Sequence, residues 1–151
     1  MKIMLYIALF LVVFIAIALM GLSISSRKQP PLGLDNGKLR TCPTSPNCVC
    51  SEYPDEVSSI KPISYSIAHA DAWQGIKEAI TENGGQIVLE QNAYLRAHFV
   101  TPLLRFVDDV ELRHDEQNNL IHIRSASRVG HSDLGANRQR VEKIRQTFQQ
   151  W

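Results

Sequence analysis

The sequence lacks an excess of charge of either sign. Its 16 basic and 15 acidic side chains leave a formal net charge of +1. Residues 42–151 carry 11 basic and 14 acidic side chains, a net charge near −3. Because the phosphate backbone of nucleic acids selects strongly basic surfaces, this composition argues against general nucleic-acid binding.

Several motifs of catalysis and cofactor binding are also missing. The sequence has no Gly-x-Ser-x-Gly turn, no pair of Cys-x-x-Cys knuckles, and no phosphate-loop pattern around Gly84 and Gly85. It therefore predicts no cofactor and no metal site. The chain has 151 residues, and the roughly 110 that follow the N-terminal region are enough for one domain.

A run of 20 residues without charge, residues 3–22, is rich in Ile, Leu, Val, Phe and Ala. At 1.5 Å per residue it matches the hydrocarbon core of about 30 Å. It predicts a transmembrane anchor over residues 1–22 that contacts the lipid bilayer through residues 3–22. A cleaved signal peptide is the alternative, with cleavage after residue 18 or 23. No cysteine directly follows the run, so a lipoprotein is not expected.

Charge and cysteine give opposite indications of the side on which the domain lies. Basic residues fall on both sides of the apolar run: Lys2 before it, and Arg27, Lys28, Lys38 and Arg40 after it. Taken alone, this distribution favours a cytoplasmic domain. Cys42 and Cys48, however, flank a short loop that could close into a disulfide, and disulfides persist in oxidising compartments. We follow the cysteines and expect a protein anchored in the bacterial inner membrane, with its domain on the periplasmic, extracytoplasmic side.

All three cysteines lie within nine residues, so their spacing alone leaves the pairing open. A disulfide between Cys42 and Cys48 is predicted because the loop, braced by Pro43 and Pro46, can bring their Cα atoms within about 4.4 to 6.8 Å. Cys50 is then a free thiol. A zinc site formed by the three cysteines is the alternative interpretation.

The remaining patterns predict the secondary structure. Residues 23–41, rich in Ser, Pro, Gly and charge, predict a flexible linker, and residues 42–62 look irregular. Apolar and polar alternation predicts strands over residues 63–67, 86–90, 94–100, 106–113 and 120–127. Helical spacing predicts a helix after Asp71, with Trp73, Ile76 and Ile80 on one face, and another after Asp133, with Leu134, Val141, Ile144, Phe148 and Trp151 on one face.

This order predicts a single α+β domain over residues 42–151. Short connections favour a two-layer arrangement, in which a mostly antiparallel sheet of about five strands is covered by two helices. The N-terminal transmembrane helix precedes it.

The clearest hairpin, formed by residues 106–113 and 120–127, predicts which side chains share a face of the sheet. It places Val110, Leu112, Ile121 and Ile123 inside, and Asp109, Glu111 and Arg124 on the opposite, exposed face. Arg124 should then pair with one of those two acids. Asp108 points toward the core, where it needs a partner such as Ser125 or Ser127.

Two motifs resemble a known family. The first is Cys42-Pro43-Thr44-Ser45-Pro46-Asn47-Cys48-Val49, and the second consists of residues 106–111 followed by residues 123–138. They are similar to the bacterial and plant family catalogued as domain of unknown function 1499, over about residues 42–151. The resemblance implies no known activity. Cys50 and His131 are positions where this sequence departs from the pattern that we expect for the family.

A ligand site is predicted where the second hairpin strand leads into the last helix. Two glycines, Gly130 and Gly135, keep this turn open, and a helix start with arginines suits an anion. The predicted ligand-binding residues are Asp108, Arg128, His131, Asn137 and Arg138. In the competing, purely structural interpretation, the arginines pair with Asp108, Asp109 and Glu111, and Asp133 only caps the helix.

Two functions follow from these patterns. The first is a non-enzymatic binding or accessory module of the envelope, whose partner is an anionic envelope molecule or a protein. The alternative is a hydrolase-type enzyme that uses Asp108, His131 and Arg128. A triad of Ser127, His131 and Asp133 is a weaker variant, because no oxyanion hole is evident.

Overall fold

The computed structural model describes residues 1–54, 56–66 and 71–151. In these residues the helices are α1 (Lys2–Ser26), α2 (Ala72–Glu82) and α3 (Ala136–Phe148). The strands are β1 (Leu34–Asp35), β2 (Lys38–Leu39), β3 (Cys48–Cys50), β4 (Ile63–Ser64), β5 (Gln86–Gln91), β6 (Tyr94–Val100), β7 (Val107–Asp115) and β8 (Leu120–Ser127).

The fold is α+β, as predicted. The main sheet is antiparallel and has the strand order β3-β8-β7-β6-β5, with β4 also paired to β8. β3 lies within residues 42–62, which were expected to be irregular. The strand predicted over residues 63–67 is only two residues long as β4, and Ile67 lies outside the described residues. The predicted order of the other strands is confirmed.

The hairpin of β7 and β8 has the predicted register. Leu112 lies opposite Ile123, and Glu111 lies opposite Arg124. Asp108 and Asp109 consequently point to opposite sides of the sheet, because successive side chains of a strand alternate.

α1 is long and apolar enough to cross a membrane, and an N-terminal signal sequence satisfies the same criteria. Its 25 residues extend the predicted apolar run to Ser26. Most of its side chains are exposed.

Residues 23–41, which were predicted to form a flexible linker, are more structured than predicted. Its first residues belong to α1, and β1 and β2 form a small antiparallel hairpin. Leu39 is fully buried and packs with Cys50 and Tyr94. The few apolar residues of this stretch show no periodicity, so the sequence pattern could not indicate that burial.

The aspartates predicted to cap α2 and α3 both accept hydrogen bonds from N–H groups at the helix starts. Asp71 accepts from the N–H of Gln74 at 3.0 Å. Asp133 accepts from the N–H groups of Gly135 and Asn137, at 3.0 and 2.7 Å. α3 begins only after Gly135, so Asp133 acts from two residues further back than expected.

Two residues predicted on the core face of α3 do not belong to that helix. Leu134 precedes the helix in a left-handed conformation and is 91% exposed, and Trp151 is about half exposed. Val141, Ile144 and Phe148 are buried as predicted. The left-handed turn changes the direction of the chain before α3, so helical spacing cannot be extended back to residue 134.

The two faces of the sheet differ in chemistry. The helix-covered face packs against α2 and α3 in one apolar core, which includes Leu95, Val110, Leu112, Ile121 and Ile123 from the sheet and Ile76, Ile80, Val141 and Ile144 from the helices. The charged face carries Asp109, Glu111, Arg113, Arg124 and, at the end of β8, Arg128. Residues 33–53, here called the covering segment, run into and out of β3, and groups before and after that strand hydrogen-bond to this second face. Both faces are therefore shielded from water.

Candidate functional site

The cysteines are joined as predicted, and this bond forms one wall of the candidate site. Cys42 and Cys48 form a disulfide with a Cα–Cα distance of 5.6 Å. It uses two of the three thiols that a zinc site would require. Cys50 is free and buried, and burial raises the pKa of its thiol to about 11. Cys50 is thus held as an unreactive thiol.

Asp108 lies on the helix-covered face, as predicted, but its partner is different. Its carboxylate accepts from Nη2 of Arg140 on α3 at 2.5 Å. The predicted partner Ser125 instead donates to Oδ1 of Asn137 at 2.6 Å. Alternation along the strand indicated the direction of Asp108, but not which cation 32 residues away would approach it.

Asn137 is a structural tie rather than a free ligand group. Its side chain is almost fully buried. Its Nδ2 donates to the carbonyl of Asn47 at 2.8 Å, to Oγ of Ser127 at 3.0 Å and to Asp133 at 2.8 Å. It therefore joins the disulfide loop, the end of β8 and the start of α3.

Arg128 lies on the other face of the sheet from Asp108. Its Nε and Nη2 each donate to one oxygen of Asp109 at 2.7 Å. Nη1 donates to the carbonyls of Ser26 and Arg27 at the end of α1, at 3.2 and 3.3 Å. The guanidinium is thus used for internal contacts.

His98 completes this group as a neutral ring. Burial lowers the pKa of His98, and the positive charge of Arg128 lowers it further against the opposing effect of Asp109. A neutral imidazole can accept at Nε2, and Nη2 of Arg128 lies 2.7 Å from that atom.

The five predicted site residues therefore do not converge. Asp108 lies beneath α3, Asn137 lies in the first turn of α3, and Arg128 lies on the charged face. His131 and Arg138 are exposed. The clustering that the hydrolase alternative needs, of Asp108, His131 and Arg128 in one cleft, is not seen.

Arg138 does line a cavity close to the predicted location. The disulfide cavity has a volume of about 620 Å³. Its walls are residues 42–46 and 48–49 around the disulfide, residues 56–58, and Asp133, Gly135 and Arg138 at the start of α3. This volume lies within the range of roughly 300 to 1,000 Å³ that ligand sites occupy.

Hydrogen bonds hold the walls of this cavity in place. The Nδ2 of Asn47 donates to the carbonyl of Gly130 at 2.6 Å, and the N–H of Ser127 donates to the carbonyl of Asn47 at 3.0 Å. Nη2 of Arg138 donates to the carbonyl of Ser59 at 3.0 Å. The cavity is thus formed by a braced loop and a helix start.

Asp133 already occupies the positive end of α3. Burial raises the pKa of Asp133, but hydrogen bonds from the N–H groups of Asn137 and Gly135 outweigh this effect and leave the pKa below its ordinary value. The carboxylate is therefore ionised at neutral pH. The N–H donors expected to bind an anion are in part satisfied by this side chain.

Exposed apolar side chains adjoin the cavity lining. Val57, which lines it, is fully exposed. Leu134 lies between the lining residues Asp133 and Gly135 and has a φ of +54°. A bulky residue in this conformation is uncommon and strained.

The arginines on the charged face form ion pairs with acids, as the purely structural interpretation of these arginines expects. Arg124 Nη1 donates to Glu111 Oε2 at 2.9 Å, and Arg113 Nε donates to Glu52 Oε1 at 2.7 Å. The predicted partner of Arg124 is confirmed, but the expectation of an exposed pair is wrong. Glu111 is 0% exposed, because the covering segment lies over it and Gly33 donates its N–H to Oε1 at 2.8 Å.

A known family model covers the part of the chain that contains the disulfide loop, the main sheet and α3. The family model described as "Protein of unknown function (DUF1499)" matches residues 38–148. The chain belongs to the DUF1499 family. The match begins at Lys38, within the covering segment, so this DUF1499 domain includes β2 and the buried Leu39 as well as the disulfide loop. Comparison with curated proteins and with solved structures finds no match.

Proposed function

We propose that this DUF1499 protein is a membrane-anchored, extracytoplasmic binding module that holds a partner protein at the disulfide cavity. The observation that carries the proposal is the cavity itself, in which a disulfide-closed loop faces the start of α3. The apolar helix α1 supports anchoring. The disulfide supports an oxidising compartment.

Binding is favoured over catalysis because the buried carboxylates of β7 already have arginine partners. Asp108 pairs with Arg140, Asp109 with Arg128, and Glu111 with Arg124. An acid that is fixed in a buried ion pair is poorly placed to exchange a proton with a substrate. The hydrolase alternative therefore gains no support from the geometry.

A protein partner is favoured over an anionic ligand by the lining. Among the described residues that line it, the cavity carries Glu56 and Asp133 against one cation, Arg138. Pro43, Pro46 and the exposed Val57 add apolar surface beside the hydroxyl groups of residues 44, 45 and 58. Apolar surface with scattered polar groups suits a polypeptide segment.

Site-directed photocrosslinking in the native membrane tests this site. A photoreactive amino acid is placed at Thr44 or at Val57, on two walls of the cavity, in the full chain. Glu116 is the control position, because its exposed side chain lies in the turn between β7 and β8, at the opposite end of the hairpin. We expect the same protein adduct from both walls and none from position 116. Ser58→Trp, which fills the cavity, should remove the adduct from position 44.

Two outcomes contradict the proposal. Equal adducts from positions 44, 57 and 116 would mean that the contact is nonspecific. A small anion that native mass spectrometry finds on the purified full chain, and that Arg138→Ala releases, would replace the partner protein by an anionic ligand.

The compartment and the anchor have separate tests. Retention of residues 1–22 in alkali-washed membranes supports an anchor, whereas their loss indicates a cleaved signal sequence. Cys42 found alkylated in non-reducing peptide maps of the protein from its own host would contradict the extracytoplasmic location.

A further inference from the structure

One face of α1 packs against the domain. Ser23 and Ser26 are buried and Leu19 is half-buried, whereas their neighbours along the helix are exposed. These three residues are separated by four and three positions, so they lie on one side of the helix. The domain therefore contacts the last two turns of α1.

Hydrogen bonds fix this contact at the start of β7. The N–H of Val107 donates to Oγ of Ser26 at 3.2 Å. Arg128 donates to the carbonyls of Ser26 and Arg27, which have no acceptor role left inside the helix because they lie at its C-terminus. A cation at this end also interacts favourably with the helix dipole. α1 is thus joined to the sheet rather than tethered loosely to it.

The loop between β6 and β7 lies directly beyond this joint. Val100 pairs with Val107, and residues 101–106 form the tip of the hairpin. Leu103 is 88% exposed and Leu104 is 37% exposed. The tip is braced, since Thr101 and Phe106 exchange hydrogen bonds of 2.9 Å. The leucines are therefore held outward by an ordered turn.

The length of α1 brings this tip to the depth of the bilayer surface. A helix of 25 residues is about 37 Å long, some 7 Å more than the hydrocarbon core. Leu19, which is half-buried, still lies inside the apolar run of residues 3–22. The nearest part of the domain must then reach the boundary between headgroups and acyl chains. Arg27, Lys28 and Arg105 are exposed.

We propose that the tip of the β6–β7 hairpin inserts Leu103 and Leu104 into the headgroup and acyl boundary of the bilayer that α1 spans. Arg105, Arg27 and Lys28 lie at the level of the lipid phosphates, where cations are attracted to anionic headgroups. The inference rests on the proposed anchoring of α1. It makes the domain a rigid body seated on the membrane, with a fixed orientation of the disulfide cavity.

Fluorescence quenching in nanodiscs tests the insertion. The full chain is reconstituted in phosphatidylethanolamine and phosphatidylglycerol, and a polarity-sensitive fluorophore is attached to Leu103→Cys, Leu134→Cys or Val12→Cys. Leu134 is the matched control because it is an equally exposed leucine in the turn before α3. The unsubstituted chain controls for labelling of Cys50, which is buried.

Insertion predicts a blue-shifted emission at position 103, strong quenching by spin-labelled lipid and weak quenching by iodide. Position 134 should show the reverse. If position 12 is quenched by lipid while position 103 behaves like position 134, the inference is wrong and the anchor stands. If position 12 itself is open to iodide, the anchoring proposal fails, and the insertion fails with it. Replacing Leu104 by Asp should weaken the lipid quenching at position 103 and leave that at position 12 unchanged.

Discussion

The two faces of the central sheet are both buried, but they are built on different interactions. On the helix-covered face, Val110, Leu112 and Ile123 pack against α2 and α3. On the charged face of the same strands, Asp109 is 1% exposed and Glu111 is 0% exposed, and each has an arginine partner. The same two strands therefore carry an apolar layer, whose contacts are not directional, and a charged layer, in which each acid has its own arginine partner.

The difference indicates what each layer contributes. Apolar packing is non-directional and tolerates small changes in shape. A buried charge must keep its particular partner, because an unpaired ion in a dry environment costs several kcal/mol. We infer that the charged face holds the covering segment and the end of α1 in one position, whereas the helix-covered face supplies most of the stability.

The largest expected effect is the loss of one partner on the charged face. Arg124→Ala should lower the free energy of unfolding by about 3 to 5 kcal/mol, since Glu111 would remain buried without its cation. Urea unfolding of the detergent-solubilised full chain measures this change.

Arg96→Ala is the matched control for that variant. Arg96 lies on the same face, opposite Glu111 in the register of β6 and β7. Its Nε, like that of Arg124, is buried without a hydrogen-bond partner among the described residues. Arg96 differs in having no acidic partner among those residues, whereas Arg124 pairs with Glu111. Removing an unsatisfied donor should change the stability by less than about 1 kcal/mol. Equal losses in the two variants would show that ion pairing does not stabilise this face.

The disulfide should have the next largest effect. Cys42→Ser with Cys48→Ser opens a short loop, with a sequence separation of 6, and should cost about 2 kcal/mol. Hydrogen exchange should increase mainly in the covering segment and around the disulfide cavity. Cys50→Ala is the control, because it removes a thiol and leaves the disulfide intact. Uniform exchange across the sheet would contradict a local role of the disulfide.

A smaller, graded effect is expected on the helix-covered face. Ile123→Val removes one methylene group from the core and should cost about 0.5 to 1.5 kcal/mol. The same unfolding measurement applies. A loss as large as that of Arg124→Ala would mean that the apolar layer is as specific as the charged one.

The smallest expected effect is a response to acid, because the histidine rings retain some contact with solvent. Burial lowers the pKa of His98 and His122, on the charged face, and of His114, on the helix-covered face. Below the ordinary value of 6.5, the unfolded chain binds more protons than the folded one, so the stability should fall as the pH falls. His98→Gln with His122→Gln should flatten this dependence more than His114→Gln does. An unchanged pH profile in the double variant would contradict the prediction.

Much of the candidate site was accessible from local patterns. The short proline-containing loop predicted the disulfide. The turn between β8 and α3 was predicted as the place for a ligand, and this stays a prediction. Arg138 does line the disulfide cavity there. The other predicted ligand residues that are buried have structural roles because their partners come from distant segments. Arg128 contacts α1, and Asn137 contacts the disulfide loop.

The cavity walls contributed by residues 56–58 could not be predicted. No periodic pattern marks this segment, and its approach to Arg138 depends on how the irregular chain after β3 folds back. Val57 gave no signal in the sequence because one exposed valine in a polar loop is ordinary.

The features that depend on neighbouring residues along the chain could be predicted from the sequence: the apolar helix, the disulfide loop, the aspartate caps, and the alternation and register of β7 and β8. The burial of the charged face, in contrast, depends on long-range packing. Whether Glu111 and Arg124 meet water depends on residues 33–53 folding across them, and that contact joins segments more than 70 residues apart. Alternation specifies two faces for a strand, but the partner that covers each face is selected by the packing of the whole chain.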